Sequence, residues 1–395
     1  MGAPMVRSYL DRSCHLSQTE ALLLEIYSGL CLRSSPWHAL PLSDSCISLR
    51  GYLNGYLLLE ISPPLGGEQA GDGMKKIFLF SGVALVSGSV FLLGPHRALN
   101  PFPAQREFKI LYKTSIPELP LTAEHVRIWI PVASTREGQT ILERKIESPV
   151  PYQITRDPVY GNEMAYLELK RPFPQRLDLK VIYSAEIVRD LYEKRNGEQN
   201  PEQYLKPSSL MVVNEAVRAR TRDAVRGKET LMGKARSIYE NVIGKMSYDK
   251  TVSGWGRGDT VRACLLGKGN CTDFHSLFIS MAHAAEIPAR FKIGLTVPEE
   301  LEGEIAGYHC WAEFYEEGKG WKPVDTSEAW KHPRRKEAYF GNFDTNKFLI
   351  STGRDIDLVP EQEGSPVNIF FYPYVEVDGK EWNGVKTAFE FKNLK

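Results

Sequence analysis

Apolar and polar positions alternate in short runs from about Glu107 to Tyr192: FKILYKTSI, HVRIWIPV, TILERKIES, EMAYLELKR and LDLKVIYSAEIV. Pro and Gly punctuate them. A period of two with one polar face predicts an antiparallel β domain over residues 105–192. The period changes after the polar, turn-rich stretch DLYEKRNGEQNPEQYLKP, which predicts a boundary there. Ser208 and Ser209 are placed to cap a helix over LMVVNEAVRARTRDAV. Leu231, Ala235, Ile238 and Val242 share one helical face in the next segment. A short helix is expected after Asp259, a good N-cap, ending near Gly267. Strand patterns then return in ARFKIGLTV and in YHCWAEFYEEGKGWKPVD, where Glu317 to Gly320 marks a hairpin turn. The final runs, VNIFFYPYVEVDG and KTAFEFK, flank an Asp-Gly turn and predict a C-terminal β extension over 346–395.

The first hundred residues read differently. MKKIFLFSGVALVSGSVFLLGP, over 74–95, sets two lysines before an uncharged apolar run, the layout of a secretory signal. From Ile77 to Leu93 the run also reaches the lower limit of a membrane-spanning helix, so a cleaved signal and an N-terminal anchor both fit. Val86 and Gly88 offer a small-residue cleavage site. Residues 1–73 hold Cys14, Cys31 and Cys46 and show no sustained period, so they are expected to be a disordered upstream extension with Met74 as the true start.

Lys plus Arg and Asp plus Glu both number 49, a formal net charge of zero, which gives no global field for nucleic acid. Chemistry concentrates in LLGKGNCTDFHSLFISMAHAAEIPARF. A glycine turn leads to Cys271 at the start of an amphipathic helix with Leu277, Phe278, Met281, Ala282 and Ala285 inward. The positive end of that helix stabilises a thiolate, and its free N–H groups can donate to an oxyanion. His309, in GYHCWAEFY, can share the thiol proton. Asp325, ending the next strand, can orient the imidazole.

Together GNCTDFHSLF, IPARF, YHCWAEFY and GWKPVD resemble, in this order, the bacterial transglutaminase-like, papain-related superfamily, over roughly Ser208 to Phe343. The resemblance implies an α+β fold over 208–345, with a Cys-bearing helix packed on an antiparallel sheet bearing His and Asp, preceded by a β-sandwich-like domain. It also implies roles: Cys271 as nucleophile, His309 as general base and acid, Asp325 as orienting carboxylate. Trp255, in the GWGRGD stretch, either lines the acyl pocket or oxyanion site, as an upstream aromatic does in some relatives, or simply packs. Trp311 either walls the cleft or fills the core.

The expected activity is acyl transfer on amide bonds of a peptide or protein through a thioester, with water the favoured acceptor and an amine the alternative. A non-enzymatic binding or assembly module of the envelope is the other class. No cofactor is expected, and no acidic loop has EF-hand spacing. A zinc site from Cys271, His275, His309 and Cys310 is the rival chemistry, although the paired short spacings of structural zinc are missing. Cys264 and Cys310 read as packed thiols able to form a disulfide in an oxidising compartment, with Cys310 pointing away from His309. The apolar segment implies an extracytoplasmic location, with membrane contact if it is retained.

Overall fold

The computed structural model describes residues 46–53, 56–62, 101–195 and 200–394. The chain divides into two units, 1–90 and 91–395. Within the first, where no strand was expected, β1 (Cys46–Leu53) pairs antiparallel with β2 (Tyr56–Ser62). The missed signal is Asn54-Gly55 between two apolar runs, the dipeptide that two-residue hairpins favour. The segment 74–95 lies outside the described residues.

The second unit is built in layers, and the first is a sandwich of two five-stranded sheets. One has the order β12 (Glu302–Ile305), β18 (Lys386–Asn393), β3 (Gln105–Ile116), β8 (Leu177–Val188), β5 (Gln139–Glu147). The other runs β17 (Lys380–Glu381), β16 (Tyr374–Val377), β4 (His125–Val132), β7 (Glu163–Lys170), β6 (Gln153–Arg156). Alternation does what the sequence predicts: Phe108, Ile110 and Tyr112 of β3 and Val181, Tyr183 and Ala185 of β8 are buried, while Lys109, Leu111, Ile182 and Ser184 between them lie on the other face, exposed or half-buried.

The C-terminal strands do not form a body of their own. β16 pairs with β4, and β18 lies between β12 and β3. The Asp-Gly turn joins β16 only to the two-residue β17, with Asp378 and Gly379 both at positive φ. Earlier in the same segment, β15 (Lys347–Thr352) belongs to a third, four-stranded sheet with the order β14 (Gly320–Val324), β13 (His309–Glu316), β11 (Ala289–Thr296), β15.

That third sheet is the middle layer. One face packs on the sandwich, where Phe348 meets the rings of Phe108 and Tyr183. The other carries a set of helices. In chain order these are α1 (Arg189–Arg195), which instead follows directly on β8, α2 (Glu215–Ala224), α3 (Leu231–Lys245), α4 (Thr260–Leu266), α5 (Cys271–Ala284) and α6 (Thr326–Lys331). The two-residue strands β9 (Ser247–Tyr248) and β10 (Lys268–Gly269) pair in parallel beside them.

Helix starts follow capping chemistry. Asp259 caps α4, which ends at Gly267 with φ +61°. The cap of α2, however, is Asn214, which accepts from Val217 N–H at 3.0 Å. Ser208 caps only a local turn, accepting from Met211 N–H, and Ser209 is tied to Asp355. The helix therefore begins at Glu215, five residues beyond the Leu210 start that the Ser-Ser signal suggested.

Helix α5 also differs from its expected form. Every residue from Cys271 to His283 is buried, not one face alone. It touches α2, α3 and α4 as well as β11 and β13, and a helix enclosed on all sides is the core of its domain.

Candidate active site

Asn270 fixes where α5 begins. Its side-chain oxygen accepts from Thr272 N–H at 2.9 Å, and Asp273 returns the bond by accepting from Asn270 N–H at 2.9 Å, a complete capping box. Asp273 does more than close that box. It also accepts from Gly256 N–H at 2.7 Å and Gly258 N–H at 3.1 Å, so it staples the GWGRGD loop to the helix start. Burial nonetheless pushes its carboxyl upward against those three donors. Gly256 takes φ +81°, and a Cβ at Gly269 would lie 2.2 Å from the Asp273 carboxylate, which explains the glycines on both sides of this junction.

Cys271 is the first residue of α5 and 2% exposed. His309 opens β13, and its Nε2 lies 2.6 Å from Asp325 Oδ2. The other ring nitrogen is left for Cys271, whose sulfur also acts on the imidazole. Asp325 ends β14 and caps α6, so its two oxygens divide the work. Oδ1 accepts from Glu328 N–H at 3.0 Å and Ser327 Oγ–H at 3.1 Å, while Oδ2 takes His309 and, at 2.7 Å, Lys347 Nζ. The hairpin of β13 and β14, in register Ala312 to Val324, brings Asp325 back beside His309 as its sequence predicts.

Electrostatics follow from this geometry. The Cys271 thiol is held well below its ordinary value, first by a hydrogen bond from Cys310, then by the hydrogen bond and charge of His309, which together outweigh burial. Burial opposes charge on His309, but Asp325 and the Cys271 sulfur prevail and push it up to about 10. Asp325 stays well below the carboxylate range because Lys347 and His309 overcome its desolvation. The stable arrangement is a thiolate and imidazolium pair, backed by a carboxylate and an ammonium.

Cys264 and Cys310 are packed thiols, as expected, with no disulfide between them. Cys264, Cys271 and Cys310 are all free. By strand alternation Cys310 does lie on the opposite face of β13 from Trp311, but that face is the one α5 covers, so Cys310 meets Thr272 Oγ1 at 3.4 Å and the Cys271 sulfur. Burial raises the Cys310 thiol well above its ordinary value, and it remains the S–H donor of the pair.

The four residues weighed as a zinc site do not converge as ligands. His275 lies between two backbone groups, its Nδ1 2.7 Å from Cys271 O and its Nε2 accepting from Thr326 N–H at 3.0 Å. The Nε2 lone pair is therefore occupied, and the 3.4 Å approach to Asp325 Oδ1 is not an ion pair. Among the described residues no three His, Cys, Asp or Glu side chains group as metal ligands.

Trp255 is 40% exposed on the stapled loop, with Lys250 Nζ 5.6 Å from its ring. Trp311 is buried on the sandwich-facing side, where Lys347 Nζ sits 5.2 Å from its ring and Lys292, Glu313 and Tyr192 share a cavity of about 30 Å³. Of the two, Trp255 faces solvent and Trp311 is enclosed. Sequence reasoning passed over Lys347. Its signal was a lysine opening the apolar run KFLIST, because a charge in a fully buried strand requires a partner.

Comparison with known proteins agrees with this architecture. Residues 218–326 match the model of the Transglutaminase-like superfamily. An uncharacterized protein of Haemophilus influenzae is 30% identical over 312 residues, which are 67% of this chain and 84% of that protein. Among solved structures, a candidate cysteine protease from Cytophaga hutchinsonii aligns over 74% of this chain and 92% of its own, with TM-score 0.51 and 15% identity, a likeness of fold. The periplasmic domain of TgpA from Pseudomonas aeruginosa aligns over 55% of this chain and 91% of its own at 15% identity and TM-score 0.31. With its cysteine-led central helix, His- and Asp-bearing sheet and this extent of likeness, the chain belongs to the transglutaminase-like superfamily.

Proposed function

We propose that the protein is a cysteine-nucleophile acyltransferase acting on amide bonds of peptides or proteins, with water as the acceptor. The observation that supports this most directly is His309 bridging Cys271 and Asp325 in a buried, charge-separated line. The Cys271 thiolate attacks the carbonyl carbon, a C–S bond forms, and the carbonyl π pair moves onto oxygen. On collapse the C–N bond breaks and the amine leaves with a proton from His309. Water then attacks the thioester, giving its proton to His309, and the carboxylate product and free thiolate result. Asp325 holds the imidazole in the orientation that both steps need.

We place this chemistry outside the cytoplasm, on the strength of the lysine-led apolar segment over 74–95. Among the described residues no helix is long and apolar enough to cross a membrane. That segment either is removed or anchors the protein.

Incubation with mixed peptides and envelope proteins, followed by mass spectrometry, tests the reaction type. Cleaved amide bonds that vanish with Cys271→Ser are expected. Crosslinks in place of cleavage would move the assignment to transamidation, and an inert mixture would favour a binding module.

A further inference from the structure

Cys271 and His309 both stand at the ends of their elements. Cys271 is the first residue of α5, and His309, opposite Gly294, is the terminal rung of the pairing between β13 and β11. Tyr308, just before it, lies outside that ladder. Element ends are where pairing frays, whereas a thiolate and imidazolium pair needs its two members held close. The ladder alone leaves the His309 end of β13 free to lift from α5.

The chain neighbours of the two residues supply the missing hold. Tyr308 Oη accepts from Asn270 Nδ2–H at 2.9 Å and from Thr272 Oγ1–H at 3.2 Å, so one phenol oxygen is bonded to both residues that flank Cys271. On the other side of His309, Cys310 Sγ lies 3.4 Å from the same Thr272 hydroxyl. Residues 270 and 272 therefore grip residues 308 and 310. The Tyr308 ring is seated against Phe371 and Tyr372, with centroids 5.7 and 6.2 Å away. The stapled loop closes over the bond, since a Cβ at Gly256 would lie 3.3 Å from Asn270 Nδ2 and 3.5 Å from Tyr308 Oη. Burial pushes the phenol up, so it stays neutral through the range in which the pair is charged.

Resting on the acyl-transfer reading above, we propose that Tyr308 is a positioning residue, whose hydroxyl ties the helix end carrying Cys271 to the strand end carrying His309 and so sets their separation. It acts through these two residues and transfers no proton. Each charge of the pair stabilises the other, which holds the thiol down and the imidazole up. Widening the pair moves both back toward their ordinary values, the thiol upward and the imidazole downward. Other titratable groups act on the pair from outside the clamp. Asp325, Lys347 and Asp344 lie on the side of the imidazole, and His275, Cys310, Tyr248 and Tyr372 on the side of the sulfur. Removing the Tyr308 hydroxyl leaves each of those side chains in place.

The rate of Cys271 alkylation by iodoacetamide as a function of pH, followed on the Cys271 peptide by mass spectrometry, tests this. Tyr308→Phe keeps the ring and removes the acceptor. Its acid limb is expected about one pH unit above that of the parent protein, and its His309 limb below the parent value of about 10. The reactive window thus narrows from both sides. Two unmoved limbs, or a shift of the acid limb alone, overturn the inference. Tyr183→Phe, which takes a phenol oxygen from Ala133 N–H in the sandwich, controls for lost stability, and the same narrowing in that variant also overturns it. If Tyr308→Phe does not fold, Asn270→Ser decides, because serine still caps α5 but carries no amide for Tyr308. A narrowed window there supports the role and an unchanged one overturns it. A parent Cys271 that alkylates with the pH dependence of a free thiol contradicts the acyl-transfer reading itself and not the part given to Tyr308.

Discussion

Cys271 is reactive in this account because three neighbours act on one sulfur, and each can be removed separately. Cys310 supplies the S–H that does most to stabilise the thiolate. In Cys310→Ala the acid limb of the alkylation-rate profile should therefore move to higher pH, with the His309 limb still near pH 10. An unmoved acid limb would show that the Cys310 hydrogen bond does not tune the thiol. Lys347 acts one step further back. The folded pKa of Asp325 is depressed, so its stabilisation is present above the unfolded carboxylate value of about 3.9 and is lost as pH falls through the folded one. That of Lys347 is raised, so its contribution is present below the unfolded value of about 10.4 and is lost as pH rises through the folded one. Between those limits Lys347→Met should lower unfolding free energy by on the order of 3–5 kcal/mol, measured by urea titration. The deficit should shrink toward acid pH. A loss of equal size at every pH would point to packing instead of charge.

At the scale of elements, most of what positions the site was legible. The glycine turn, the Asp259 cap, the β13–β14 hairpin and the placement of Cys271, His309 and Asp325 all follow from local signals. Long-range pairing was not legible. No periodicity in KTAFEFK says that it pairs with FKILYKTSI far upstream, and no signal around Lys347 names Asp325 as its partner. The face on which Cys310 lies could be read from alternation, but the element covering that face could not. Asp273 shows the same division, since its place in a capping box is local and its hold on Gly256 and Gly258 is tertiary. Asp273→Asn keeps an acceptor oxygen but cannot serve all three N–H donors. The expected cost is about 1–3 kcal/mol, with faster hydrogen exchange at Gly256 and Gly258. Unchanged exchange there would mean that other contacts hold the loop.

In the whole molecule the third sheet links the sandwich to the helices, and strands from the end of the sequence complete the sandwich. β18 is an inner strand between β12 and β3, and β12 itself lies in the connection that leads into His309. Removing residues 366–395 should therefore disrupt the catalytic layer along with the sandwich, seen as loss of a cooperative thermal transition. A truncated chain that melts cooperatively with Cys271 still protected would contradict this coupling. The central claim, that Cys271 is a thiolate nucleophile paired with His309, is tested most directly by intact-mass and peptide mapping after brief mixing with p-nitrophenyl acetate near pH 7. The account predicts a single acetyl group on Cys271, absent from Cys271→Ser and formed much more slowly in His309→Ala. Acetylation falling instead on the partly exposed Cys264, or a rate indifferent to His309, would contradict it.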